Sequence, residues 1–416
     1  MSLQLKENDP FAVLRVKEFL FFLNTRFFLT LAIQMQSVIV GWQLYMYTKD
    51  ELTLGLIGLA EAIPFIITSL FSGHVADTFN RKKIILASVS FLTISTAALL
   101  YFSKNETFIF DHYGTLPVFL VIGFTGIVRG FISAAFTPFM SQILPRSMYS
   151  NAATWNSSVW HTGAVVGPAV AGLLCAIDTS VAYEINLIFI CISIFSFSFI
   201  TSRPTTPKEK KESLKESLTA GIKFVFSNQL ILGAISLDLF AVLFGGAVAI
   251  LPAFTDKILH VGAIELGYLR AMPALGAVIT AMLIAYWPST KNAGRNLFLS
   301  IAAFGVSIIL LGLTSNYYWA LFFLFLTGAF DNVSVVIRHT ILQLSTPDHM
   351  RGRVSAVNSI FVGSSNEIGA FESGIAARAI GLSTSIIFGG IMTVLIVGST
   401  YKLTPKLRKL NLNSIT

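Results

Sequence analysis

Long apolar blocks separated by short polar breaks run along nearly the whole chain. They fall near residues 19–47, 54–72, 83–102, 116–140, 151–176, 181–201, 228–254, 264–287, 295–313, 317–343, 353–380 and 383–402. A helix rises 1.5 Å per residue, so crossing a hydrocarbon core about 30 Å thick takes roughly 20 mostly apolar residues. Every block is close to that length or beyond it. In lipid the backbone must satisfy its own hydrogen bonds, which makes helices the economical answer. The pattern therefore predicts an all-α membrane protein with twelve transmembrane helices. Some neighbours are joined by very short turns, such as Ile177-Asp178-Thr179-Ser180 and Thr314-Ser315-Asn316.

Charge orients these spans. Only 12% of the 416 residues are charged, against roughly 25% in a soluble domain. Placing the N-terminus in the cytoplasm puts 21 lysines and arginines on the inner side and three, Lys49, Lys104 and Lys257, on the outer side. That bias is a strong positive-inside signal and predicts two cytoplasmic termini. Five arginines, Arg26, Arg129, Arg270, Arg338 and Arg378, lie within or at the ends of spans. The net charge of +8 is expected to face anionic lipid, with no nucleic-acid partner, because no basic patch is interleaved with aromatics. The first block is too long for a cleavable leader and is interrupted by Asn24 and Arg26. The two cysteines, Cys175 and Cys191, lie in apolar spans and are read as packing residues.

The longest hydrophilic stretch, 202–227, holds Pro204, Pro207 and the run from Lys208 to Glu212, then a possible amphipathic helix from Ser213 to Phe226. It divides the chain into a six-helix half, 1–201, a cytoplasmic linker, 202–227, and a second half, 228–416. A weak repeat supports the division. Gln142, Asn156 and Gly172 recur as Gln343, Asn358 and Gly374, at offsets of 201, 202 and 202.

Local motifs add mechanism. After the second span comes Gly73-His74-Val75-Ala76-Asp77-Thr78-Phe79-Asn80-Arg81-Lys82-Lys83. Glycine suits a tight turn, an aspartate at a helix start accepts backbone N–H bonds, and the basic cluster holds the inner interface. This segment resembles the loop signature of major facilitator transporters. The resemblance implies a conformational latch built from Gly73, Asp77, Arg81 and Lys82, with Thr78 and Asn80 departing from the usual pattern. In the fifth span, Gly163, Gly167, Pro168 and Gly172 look like the glycine-proline motif of the family's antiporters; small residues at this spacing equally serve close helix packing. Gly41-Trp42-Gln43-Leu44-Tyr45, Ser236-Leu237-Asp238-Leu239-Phe240 and Arg351-Gly352-Arg353-Val354-Ser355 resemble the bacterial branch that contains enterobactin exporters and macrolide-type efflux proteins. That branch implies a multi-pass protein of the bacterial cytoplasmic (inner) membrane, with alternating access about a site near the midplane.

Ionisable groups inside lipid cost roughly 2.5–3.5 kcal/mol each on insertion scales, so each needs a reason. Asp238, Glu61 and Asp331, in that order, are the candidate proton-coupling acids. Arg129 sits where the family often carries an arginine linked to coupling. Asp331 and Arg338 share a helical face but are seven residues apart, too far for a typical direct pair. Arg26, Phe240, Phe244, Arg338 and Glu367 are candidate cavity residues; lipid or core packing competes for the phenylalanines. No Gly-x-x-x-x-Gly-Lys loop, clustered metal ligands or paired catalytic groups are found, so neither an enzyme, nor a metal, nor a cofactor is expected, and a proton gradient is the expected energy source. The expected function is proton-coupled export of a small organic molecule of siderophore or drug type by a functional monomer. The alternatives are a lysophospholipid flippase of the same fold and a non-transporting receptor or scaffold.

Overall fold

The computed structural model describes residues 11–201, 214–286, 292–347 and 350–412. Among these residues the regular elements are helices, with no strand. Twelve are long: α1 (Lys17–Thr48), α2 (Glu51–Thr78), α3 (Arg81–Lys104), α4 (Leu116–Ile143), α5 (Tyr149–Cys175), α6 (Thr179–Ser198), α7 (Gln229–Phe244), α8 (Ala263–Tyr286), α9 (Ala293–Leu313), α10 (Tyr317–Ser345), α11 (Arg351–Ile380) and α12 (Leu382–Leu403). Short side chains start several of them. Asn80 accepts from the backbone N–H of Lys83, Asp178 from Ser180, Asn228 from Leu230 and Ile231, and Asn316 from Tyr318 and Trp319. Each satisfies donors that a helix start leaves open.

Eleven helices among the described residues are long and apolar enough to cross a bilayer, which makes this a multi-pass membrane protein. The expected span at 353–380 is not among them. Its helix, α11, has 30 residues but is too polar, carrying Asn358, Asn366, Glu367 and Glu372. The block at 228–254 also differs from expectation, because it is not one helix. α7 stops at Phe244, a 3-10 turn follows over Gly246–Ile250, and a short helix, Leu251–Lys257, completes the passage. The cause is the Gly245–Gly246 pair. A Cβ on Gly246 would stand 2.6 Å from the carbonyl oxygen of Gly369, so the missing side chains let α11 approach the break.

Contacts divide the chain into two units, Met1–Val40 with Ile63–Lys210, and Gly41–Ala62 with Lys211–Thr416. α1 and α2 each pass from one unit to the other. Within the first unit, α3 packs on α4 and α6. Its core joins Phe19, Phe22, Phe136, Phe139 and Phe197 to Ile85, Val89 and Leu92. Within the second, α9 packs on α10 and α12. The third helix of each set of six therefore meets the fourth and sixth in both units. α8 also lies on α10, and α7 on α11 and α12. Lipid is as apolar as leucine, so close fit rather than water exclusion holds such helices together. The tightest example joins α2 to α11: a Cβ on Gly374 would lie 2.7 Å from Cα of Gly55.

The charged run 208–212 lies outside the described residues. The amphipathic helix expected after it is present as Leu214–Ser227. Its apolar side meets protein: Val225 joins Ile231, Ile235, Leu342, Met350, Val354 and Val357 in one buried cluster. Of the two cysteines, Cys175 is buried as expected, but Cys191 is exposed, so packing does not explain it.

Candidate functional site

Three helices of the second unit bring ionisable groups together in the interior. α10 supplies Arg338, 2% exposed, and α7 supplies Asp238, 3% exposed. Arg338 Nη1 stands 2.9 Å from Asp238 Oδ2 and donates to Asn358 Oδ1 of α11 at 3.1 Å. Ser334, one turn before Arg338, donates to Asp238 Oδ1 at 3.3 Å. Asp331 lies on the same α10 face. It is not ion-paired with Arg338, as its spacing implied, but its charge acts on both Asp238 and Arg338. Two carboxylates thus share one arginine. Asn358, first noticed as a repeat marker, proves to be a ligand of that arginine; its counterpart Asn156 has a buried Oδ1 with no hydrogen-bond partner.

Charged groups gather again where α2 crosses α11. Glu367 Oε2 stands 3.5 Å from the place a Cβ on Gly58 would occupy, one turn before Glu61. The charge of Glu367 also acts on Arg270 of α8, whose Nη2 lies 3.7 Å from the Cβ position of Gly41. Of the two candidate cavity phenylalanines, Phe240 is 44% exposed, and Phe244 ends α7 beside the break.

In the first unit, Arg26 is held in a different way. Its guanidinium lies 5.1 Å from the ring centroid of Phe136, and its Nε is buried without a partner. A cation over an aromatic face gains roughly 0.5–2 kcal/mol, well short of the several kcal/mol that removing the ion from water costs. Arg129 is half-buried on α4, where Gly130 lets Thr68 of α2 approach. The glycine-proline motif of α5 is buried and packs on α1: a Cβ on Gly163 would meet Thr30 at 3.1 Å, and one on Gly167 would meet Leu31 O and Gln34 Cβ at 2.9 Å. Close packing is thus what Gly163 and Gly167 perform here.

The loop signature needs correction. Gly73 does not form a turn, and Asp77 does not start a helix. α2 continues to Thr78, so both lie inside it, and Asn80 caps α3. Glycine is tolerated within a helix when neighbouring residues support it, and here the chain turns at Phe79 and Asn80 instead. Asp77 pairs with Arg81 at 2.9 Å. Arg81 also donates from Nε to Ala76 O at 2.9 Å, placing a cation on the carbonyl end of α2. Lys82 donates to Ser198 O at 2.9 Å.

One constellation had no forerunner in the motifs. Where α1 gives way to α2, Lys49-Asp50-Glu51 faces charges of opposite sign within the second unit. Lys49 meets Asp256 at 3.0 Å, Glu51 meets Lys257 at 2.5 Å, and Asp50 meets Arg378 at 3.5 Å. Tyr45 also donates to Asp256, at 3.1 Å. The third lysine that the charge count places outside, Lys104, pairs with Glu184 at 2.6 Å in the first unit. All three are neutralised by a carboxylate. The available signal was the charge order, Lys-Asp-Glu against Asp-Lys, with no distance along the chain to join them.

Comparison with known proteins gives a consistent result. A family model described as Major Facilitator Superfamily matches residues 22–370 and, again, 240–413. Relatives named enterobactin exporter EntS, from Shigella boydii and Escherichia coli, are 26% identical over 347 residues, covering 80% of this chain and 78% of theirs. Among solved structures, the nucleoside transporter NupG superposes with a TM-score of 0.74 at 12% identity, covering 93% of this chain and 99% of its own. A bacterial homologue of the human lysosomal transporter Spinster, inward-facing and unoccupied, gives 0.72 at 15%, covering 94% and 98%. At these identities the structures speak to the fold.

Proposed function

The chain belongs to the major facilitator superfamily and is a transporter of small molecules; we propose that it is a proton-coupled exporter of an amphiphilic organic molecule. The observation that carries this reading is the pair of acids around Arg338. With both carboxylates ionised, the group of Asp238, Asp331 and Arg338 bears one surplus negative charge. An uncompensated charge in a dry interior is costly. One proton shared by the two acids removes the surplus while the site is dry, and water reaching the site lets the proton leave. Asp238 keeps the arginine compensated, and Asp331 supplies the second acid that makes a proton necessary. Export of a siderophore-like cargo is favoured by the relatives named enterobactin exporters.

The rest of the reading follows from topology. α11 serves as the twelfth span, its polar residues facing protein or a water-filled path rather than lipid. Both termini and the linker lie in the cytoplasm of a bacterial inner membrane, and the halves 1–201 and 228–416 rock as bodies. The recurrence of the α3 pairings in α9 supports that division. Asp77, Arg81 and Lys82 form the inner latch. The ion pairs of Lys49, Asp50 and Glu51 close the outer side, and they must part when that side opens. A single chain encloses the pathway, and the proton gradient is its energy source.

The test uses purified protein in liposomes under an imposed pH gradient, with an internal pH dye. A catechol siderophore and other apolar amphiphiles are added in turn. Compound-dependent proton movement is expected. Its absence with every compound, in vesicles shown to be tight, would contradict coupled export; lysophospholipid movement without protons would replace it with lipid flipping.

A further inference from the structure

The chemistry of the cargo is narrowed by one side chain, on an inference that rests on the transport reading above. Arg26 lies about 14 Å along α1 from Lys17, well inside a span. Among the described residues it makes no hydrogen bond and no ion pair; its contact is the face of Phe136. The acids of the first unit are committed elsewhere. Asp77 holds Arg81 and Glu184 holds Lys104. Glu18 accepts the N–H of Thr201, and Asp178 caps α6 with Glu106 close by. Asp111 is exposed on the short helix Glu106–Tyr113.

Nor is Arg26 a loose group. On the adjoining positions of α1, Asn24 donates to Ser196 Oγ at 2.6 Å and Thr25 donates to Ser193 O at 3.4 Å, which fixes this turn against α6. Beneath the guanidinium the aromatic wall continues, with Phe136 4.6 Å from Phe22 and 6.4 Å from Phe197, centroid to centroid. A fixed, permanently charged fork with its hydrogen-bond donors unused, beside an aromatic wall, matches an oxyanion carried on an apolar or aromatic body. We infer that Arg26 is the receptor for the negatively charged group of the cargo, and that the cargo is an organic anion of the carboxylate or phosphate type. The same chemistry is offered by a free organic acid and by a lysolipid headgroup.

Calorimetric titration of the full-length protein in nanodiscs separates these cases, using 2-naphthoate, its neutral analogue 2-naphthamide, and lysophosphatidylglycerol as probes. The two naphthyl probes share a ring system and differ by one negative charge. Wild type is expected to bind naphthoate at least tenfold more tightly than naphthamide. Arg26→Met should bring naphthoate down to the naphthamide level, and Arg26→Lys should keep part of the preference. Lysolipid binding that depends on Arg26 and exceeds that of naphthoate would support the site and name the headgroup as the anion. Equal binding of naphthoate and naphthamide by wild type, together with lysolipid binding indifferent to Arg26→Met, would overturn the proposal without any assumption about how the variant folds. So would a naphthoate preference that survives Arg26→Met. Compound-driven proton movement that persists alongside such a result would leave the transport reading standing and remove only the anion receptor.

Discussion

Arg338 and Arg26 are both arginines set within apolar helices, one in each unit, and the molecule treats them in opposite ways. Arg338 is enclosed by Asp238, Asn358 and a nearby second acid. Arg26 has an aromatic face and no anion. A closed network stabilises and, with a surplus acid, can take up and release a proton. An open cation contributes little to the fold until something negative arrives. The contrast assigns coupling to the second unit and recognition to the first.

That contrast can be broken by substitution, and the largest effect is expected at Arg338. Arg338→Met leaves Asp238 buried without its partner and should lower stability by about 3–5 kcal/mol, read from thermal unfolding in detergent. Adding Asp238→Leu should recover most of the loss, since an apolar pair of similar volume replaces a buried ion pair at small cost. Arg26→Met should leave unfolding nearly unchanged; a loss as large as that of Arg338→Met would remove the distinction between the two sites. Next in size is the α2–α11 crossing. Gly374→Leu places a side chain against the backbone of Gly55 and should cost about 1–3 kcal/mol in the same measurement. Smaller still are the pairs of Lys49, Asp50 and Glu51, each partly exposed and worth about 0–1 kcal/mol. Glu51→Lys should therefore barely alter unfolding but should speed labelling of a cysteine placed in the outer-facing path, and adding Lys257→Glu should restore the wild-type rate.

The smallest effect concerns pH. Glu106, on the short helix after α3, has its carboxyl held above the ordinary value by burial and by the neighbouring Asp178. The fold thus favours its protonated form, so the contribution is present at low pH and is lost as pH rises through the folded-state value. Glu106→Gln should raise the unfolding temperature slightly at pH 8 and leave it unchanged near pH 4. A gain at both would deny the cause.

Much of this architecture was legible in the chain. Apolar length gave the helices, and Asn80, Asp178, Asn228 and Asn316 mark starts through chemistry that is local. The break at Gly245–Gly246 was visible as a glycine pair, yet its effect depends on Gly369, more than a hundred residues away. The reading of Asp77 as a helix start failed because glycine marks a turn only when the helix does not run through it. Partner choice was the least legible part. Asp238 and Arg338 were each singled out, but their pairing requires α7 and α10 to be neighbours. The same holds for Lys49 and Asp256, 207 residues apart. Arg26 stood out in sequence as a charge in a span; that it has no partner is a property of the fold alone.

The central claim is that two acids around one arginine carry a single proton. The direct measurement is compound-dependent proton flux in tight proteoliposomes for wild type, Asp331→Asn and Asp238→Asn. Loss of proton flux in Asp331→Asn and in Asp238→Asn, with compound binding retained, is the predicted result. Unchanged flux in both variants would contradict it and move the coupling site away from Arg338.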